Sequence, residues 1–233
     1  DLWSYTNRFT VNDYDYTKDG GFNWVENDAN VNPESMFAIK YNEYANYNEE
    51  LKGYANMYVL YFGIRDDHDQ ATFPFMRGWG YGPVSPALVR EWKMAEPDDP
   101  RRDASICYVP SELPDYDRAE GWEDWVQETD YINKKLTPIG GKANDGTIKL
   151  FSHLMYDNDA WTVNDKDINC TQDLVLLRYA DVLLMRSELY EDADKGMNEV
   201  RQRVGLPSVS YSLEALQNER RWEFAFEGLR YND

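Results

Sequence analysis

From Asp173 onward, apolar residues recur at three- and four-residue steps, and this periodicity constrains the fold more than anything before it. Leu174, Leu177, Ala180, Leu184 and Ser187 share one face of a helix predicted from Asp173 to Tyr190. A second helix is predicted from Ala193 to Val204. It is stopped by Gly205-Leu206-Pro207, where glycine frees the backbone past the last turn and proline cannot extend it. A third, from Ser212 to about Tyr231, opens on Ser212 as N-cap and aligns Leu213, Leu216, Arg220, Phe224 and Glu227 in one stripe. Short amphipathic helices must bury their faces against each other, so 173–233 reads as a compact helical region.

The preceding 172 residues read differently. Asn, Asp, Gly and aromatics mix without period over the first thirty-five or so, which predicts loop with at most short strands. Ser35 to Tyr41 is a buried-strand pattern. Ser85 and Pro86 mark the start of a helix carrying Ala87 to Trp92, as N-cap and first helical residue. Asp98-Asp99-Pro100-Arg101-Arg102 reads as a turn before a strand from Ala104 to Val109, and from there to Cys170 the sequence reads mostly as loop. The chain holds 18 Tyr and 8 Trp, and many of these rings sit among turn-forming residues where no apolar stripe can absorb them. Trp3-Ser4-Tyr5, Phe22-Asn23-Trp24 and Gly78-Trp79-Gly80-Tyr81-Gly82 are the clearest cases. Flat rings in polar surroundings suit recognition of something flat and hydroxylated.

Several function classes are disfavoured. The formal net charge of -19, with Lys and Arg scattered beside carboxylates, repels phosphate backbones, so nucleic acid is a poor partner. Two cysteines, Cys107 and Cys170, and two distant histidines, His68 and His153, give no zinc spacing, and no cofactor or metal is expected. A Cys107–Cys170 disulfide and two separate buried thiols both fit the sequence. Asp13-Tyr14-Asp15 with Asp19-Gly20, and Asp157-Asn158-Asp159, begin like calcium loops. Lys18 and Trp161 occupy positions those loops need for glycine and a ligand, and neither loop has its closing Glu. No G-x-S-x-G, H-E-x-x-H or phosphate-cradling glycine loop occurs. No apolar run reaches the roughly 18 residues that a membrane helix requires.

Three motifs carry a family resemblance. Leu177-Arg178-Tyr179-Ala180-Asp181-Val182-Leu183-Leu184-Met185 with Glu188, then Asn198-Glu199-Val200-Arg201-Gln202-Arg203-Val204-Gly205-Leu206, then Glu219-Arg220-Arg221-Trp222-Glu223-Phe224-Ala225-Phe226-Glu227-Gly228-Leu229-Arg230 resemble the C-terminal signature of the SusD/RagB family. Upstream, Pro33 to Tyr41 and the path from Gly78-Trp79-Gly80 through Pro86 to Asp99-Pro100-Arg101-Arg102 also resemble it. The connection from Leu189 to Lys195 is shorter than the family's usual one. The family's N-terminal half has no counterpart here, so the resemblance implies a piece of a longer protein.

That resemblance implies a mainly α fold, with the C-terminal helices packing on a tetratricopeptide-type helical scaffold, long irregular loops and a few short strands. It divides the chain into a loop-rich ligand-binding region, 1–172, and a helical region, 173–233. It implies a non-catalytic, cell-surface subunit that captures oligosaccharide or polysaccharide and passes it to a SusC-like TonB-dependent outer-membrane transporter. An N-terminal lipid anchor outside this sequence would hold it to the outer membrane. Peptide capture by a related uptake component is the main alternative, and a glycoside hydrolase fragment the lesser one.

The expected ligand-binding residues are Trp79 and Tyr81 in their glycine-rich loop, Arg77 beside them, and Trp24, Tyr44 and Trp3, with Tyr5 and Tyr47 as further rings. A sugar's C–H face packs on an aromatic ring while its hydroxyls take polar partners. The structural alternative for Trp79 and Tyr81 is a ring folded back to anchor the loop. Trp92 and Trp222 fall on helices and are expected in the core. Trp122 and Trp125 fit one helical face or a separate platform equally well. Glu219, Glu223 and Glu227 repeat every fourth residue, and an ion-pair network with Arg178 or Arg201 explains them better than catalysis. A glycosidase needs two carboxyl groups facing each other across an open cleft.

Overall fold

A computed structural model of the 233-residue chain describes residues 10–11, 14–15, 34–41, 56–62, 64–65, 75, 77–116, 129–137, 140–142, 148–150 and 174–229. In chain order these include β1 (Thr10–Val11), β2 (Tyr14–Asp15), β3 (Ser35–Ile39), α1 (Met57–Phe62), β4 (Ile64–Arg65) and β5 (Arg77–Gly78). Next come α2 (Pro86–Ala95), α3 (Pro100–Ser105), β6 (Ile106–Tyr108), α4 (Val109–Glu112), β7 (Tyr131–Asn133), β8 (Gly140–Lys142) and β9 (Ile148–Leu150). The chain then runs through β10 (Leu174–Arg178), α5 (Tyr179–Tyr190), a 3-10 turn (Ala193–Lys195), α6 (Met197–Arg203) and α7 (Leu213–Glu223). The strands pair only in twos among the described residues, and β4–β5 is the parallel pair. This is the mainly α arrangement expected from the sequence.

The C-terminal core forms where α5, α6 and α7 meet. Ala180, Leu183 and Leu184 of α5 bury against Met197 and Val200 of α6, Leu216 of α7, and Phe224. The short link between α5 and α6 is a tight capped turn. Glu191 takes a left-handed φ of 48°, and its N–H reaches the carbonyls of Ser187 and Glu188. Asp192 then caps the 3-10 turn by accepting from Asp194 N. Gly196 lets the two helices approach: a Cβ there would lie 2.1 Å from the Leu183 carbonyl oxygen. Ser187 Oγ also accepts from Met197 N at 2.7 Å. Gly205, at φ 79°, ends the helical path as the sequence implied.

Three predicted boundaries are corrected. The helix expected from Asp173 begins at Tyr179, because 174–178 pairs antiparallel with β3, Leu174 opposite Ile39 and Arg178 opposite Ser35. A five-residue apolar run satisfies either period, and the unpaired backbone of β3 decides between them. The turn expected at Asp98–Arg102 is instead the start of α3. Asp99 accepts from Arg101 N as N-cap and Pro100 is the first helical residue, so the following strand is shortened to Ile106–Tyr108. The last helix stops at Glu223. Phe226 (φ 69°) and Gly228 (φ 79°) turn the chain instead of continuing it to Tyr231. Its stripe therefore buries from Leu216, leaving Leu213 exposed.

A second core joins the middle of the chain to the end. Trp92 of α2 and Trp222 of α7 stack with ring centroids 5.1 Å apart and planes at 18°, packed with Val84, Ile106 and Ala225. Both tryptophans are core residues, as their helical positions implied. Trp92 Nε1 donates to Asp99 Oδ2 at 2.9 Å, so the indole's polar edge is satisfied where its face is buried. Ser85 caps α2 as predicted, accepting from Ala87 N at 3.3 Å.

Candidate functional site

The glycine-rich loop after β5 is held against α1. Buried Asn56 opens α1 by accepting from Tyr58 N at 3.0 Å, and the parallel β4–β5 pair then brings Arg77 opposite Ile64 and Gly78 opposite Arg65. The chain leaves β5 through Trp79, Gly80, Tyr81 and Gly82, with both glycines in the left-handed region at φ 73° and 71°. Tyr81 N donates to the Tyr61 carbonyl at 2.8 Å. Gly82 passes so close to Phe62 that a Cβ would stand 2.8 Å from its ring.

This path gathers three rings. Trp79 lies 5.2 Å from Tyr61 and 6.0 Å from Tyr81, and Tyr61 lies 6.1 Å from Tyr81. Their planes differ by 53°, 81° and 35° in the same order, so the group offers ring faces and edges at several angles rather than one flat wall. Tyr81 is 47% exposed, while Trp79 and Tyr61 are half-buried. Tyr81 is therefore not folded away as a simple loop anchor. Trp79 braces it from one side and α1 from another.

Trp79 and Tyr81 are thus brought together, and Tyr61 joins them. Its part was not read from the sequence. Its signal is the run Met57-Tyr58-Val59-Leu60-Tyr61-Phe62, too short for helical periodicity to single out one ring. Arg77 has its backbone in β5, and its side chain lies outside the described residues, as do Trp3, Tyr5, Trp24, Tyr44, Tyr47, Trp122 and Trp125. Cys107 is buried, and Cys170 lies outside the described residues, as do Asp13, Asp19 and 157–159 of the calcium-like loops. Among the described residues no group of three or more His, Cys, Asp or Glu could hold a metal, and no helix is long and apolar enough to cross a membrane.

The carboxylates of α7 are committed elsewhere. Arg101 donates to Glu219 at 2.5 Å and to Glu223 at 2.9 Å, while its other nitrogens grip Asp99. Arg178 reaches Glu34 at 2.7 Å and Glu227 at 2.9 Å, and it also pairs with Glu223. Arg201 joins Glu219 to Glu96, Arg203 joins Glu223 to Glu34, and Lys135 Nζ meets Glu227 at 2.6 Å. Glu219 and Glu223 are almost fully buried.

Burial alone would raise the Glu223 carboxyl's pKa. Arg203, Arg178, Arg101 and Lys135 outweigh it and hold the group well below the ordinary carboxylate range. Burial likewise works against the charge on Arg178, but Glu227, Glu223 and Glu34 keep it firmly protonated. Lys135 differs, because burial outweighs Glu227 and its pKa falls. A carboxylate held ionised and almost fully buried among arginines cannot deliver a proton to a glycosidic oxygen. The network instead ties β3, the Glu96–Arg101 corner, the turn after β7, β10 and α6 to α7.

Known proteins resemble this chain at the level of family and fold. The family model described as the SusD family matches residues 3–233. A structure named "Laminarin binding SusD-like protein" superposes with a TM-score of 0.66 at 24% identity, covering 90% of this chain and 44% of that one. Surface glycan-binding protein A from Bacteroides fluxus gives 0.64 at 22%, covering 91% and 42%. Surface glycan-binding protein A from Bacteroides thetaiotaomicron in complex with laminarihexaose gives 0.62 at 22%, covering 89% and 43%. The chain therefore spans less than half the length of each of these structures. A search of curated proteins finds no match. With a family match over residues 3–233 and the same fold in these structures, the chain belongs to the SusD family.

Proposed function

We propose that this chain is the ligand-capturing part of a cell-surface glycan-binding protein, acting by binding and not by catalysis. The observation that carries this reading is the Tyr61–Trp79–Tyr81 group, three rings within about 6 Å of one another with Tyr81 open to solvent. Stacking on such rings buries the C–H face of a sugar, and neighbouring polar groups select among hydroxyls. Each hydroxyl contact replaces one made to water, so the affinity of a single site is modest. Arg77, two residues before Trp79, and Trp24, Tyr44 and Trp3 complete the proposed binding set.

Two named relatives bind laminarin or laminarihexaose, which makes a β-glucan the first ligand to try. In the whole protein, captured glycan would pass to a SusC-like TonB-dependent transporter, with a lipid anchor holding the protein at the outer-membrane surface. The test is affinity electrophoresis of the chain through gels containing laminarin, other soluble polysaccharides or none, with a peptide panel run by calorimetry. Retardation by a polysaccharide, with no release of reducing ends, supports glycan capture. Binding to peptides but to no glycan would replace it with peptide capture, and released reducing ends would replace it with hydrolysis.

A further inference from the structure

A second aromatic surface lies on the β6–β7 hairpin. Tyr108 and Tyr131 are cross-strand partners, with ring centroids 5.1 Å apart and planes at 35°. Tyr108 is 42% exposed, and Tyr131 is seated from behind against the core around Trp92 and Trp222. Cross-strand rings often serve only to steady a hairpin. This hairpin is already tied down by other means. Lys134 Nζ donates to the Asp103 carbonyl at 2.8 Å and pairs with Glu112, Lys134 N reaches the Ser105 carbonyl, and Asn133 Oδ1 accepts from Leu136 N. The exposed ring is left over from that bracing.

Two further features suit a sugar. Glu112 accepts from Tyr108 N at 2.9 Å, pairs with Lys134 and keeps 29% of its side chain exposed, so a carboxylate with spare lone pairs is fixed on the backbone of the residue that carries the ring. Ser111, also exposed, donates its hydroxyl to the Tyr108 carbonyl at 3.2 Å. The hairpin is also joined to the first ring group. Val84 N donates to the Tyr131 carbonyl at 3.0 Å, and Val84 follows Tyr81 by three residues, a span of at most roughly 11 Å.

We infer that Tyr108, backed by Tyr131 and with Glu112 fixed on its backbone N–H, is a second platform for the same glycan, gripping stretches of a long chain that the Tyr61–Trp79–Tyr81 group does not hold. The inference rests on the glycan-capture reading above. A second contact on one polymer acts at high effective concentration, so it strengthens binding to long chains without altering the affinity of a short one for the first site.

The test uses calorimetry on the full chain with laminarin and laminarihexaose. Tyr108→Leu keeps apolar packing over Tyr131 but removes the flat face, and Glu112→Gln provides a second, milder change. Tyr108→Leu is expected to weaken laminarin binding about five- to tenfold, with Glu112→Gln in the same direction, while laminarihexaose affinity stays within twofold. Unchanged laminarin binding in both variants overturns the second platform, as does equal weakening for both ligands. Failure of the unaltered chain to bind either ligand overturns the parent reading along with it. Loss of laminarihexaose binding in Trp79→Ala, alongside unchanged laminarin binding in Tyr108→Leu, overturns the second platform alone.

Discussion

The backbone N–H of Tyr81 donates to the carbonyl of Tyr61 at 2.8 Å, fastening the glycine-rich loop to α1 and setting the two rings 6.1 Å apart. The proposed glycan surface is thus built by a loop locked to a helix, not by a free excursion. Preorganisation of this kind lowers the ordering cost of binding.

Gly82 is the position where that lock is most easily broken. Its left-handed φ and the Phe62 ring 2.8 Å from a would-be Cβ both resist a side chain. Gly82→Ala is expected to cost about 1–2 kcal/mol of stability from the backbone conformation alone. Because Tyr81 is its neighbour, glycan affinity should fall several-fold as well. Thermal melting and calorimetry on the same preparation measure both effects.

Glu223 is predicted to matter for stability and not for glycan binding. Replacing it with Gln leaves Arg101, Arg178 and Arg203 facing one charge fewer in a dry interior. Breaking a buried pair in this way costs about 3–5 kcal/mol. Urea unfolding should show the loss, while the folded fraction keeps its glycan affinity.

The same residue sets an acid limit. A carboxyl whose folded pKa lies below its unfolded value adds stability in full above about pH 4.3 and loses it as pH falls through the folded pKa. Stability should therefore decline progressively below about pH 4.3, and the decline should be shallower in Glu223→Gln. A urea midpoint series from pH 7 to pH 3 reads both slopes.

Gly196 tests the joint between α5 and α6. Gly196→Ala should act through its Cβ, which would stand 2.1 Å from the Leu183 carbonyl oxygen. That atom is backbone and cannot swing aside. The helices must part and loosen the packing of Leu183, Met197 and Val200, a cost of about 1–3 kcal/mol. A lowered melting temperature with unchanged glycan affinity per folded molecule is the expected result.

Much of the helical scaffold was legible in the sequence because its signals are local. Ser85-Pro86, Ser212 and Gly205 are caps that act within a turn, and each stands where expected. Asp99-Pro100 carries the same cap-then-proline signal as Ser85-Pro86, but the charged residues around it give a turn-like pattern that masks a helix of only six residues. Leu174 to Arg178 could not be assigned locally at all. Its strand state depends on a partner more than 130 residues earlier.

The site divides the same way. Glycines around Trp79 and Tyr81 mark an unusual backbone, but nothing local ties that loop to Tyr61. The ion-pair network was foreseen in outline from the four-residue spacing of Glu219, Glu223 and Glu227. Its extension to Glu34, Asp99, Arg101 and Lys135 depends on chain crossings that no spacing encodes.

The most direct test is a calorimetric titration of laminarin into the unaltered chain, Tyr81→Ala and the double variant Trp79→Ala/Tyr81→Ala, each first shown to be folded by circular dichroism. Ring-stacking contacts are worth about 0.5–1.5 kcal/mol each beyond the area they bury. Tyr81→Ala should therefore weaken binding about fivefold or more, and the double variant should abolish measurable heat. Unchanged affinity in the folded double variant would contradict glycan capture by the Tyr61–Trp79–Tyr81 group.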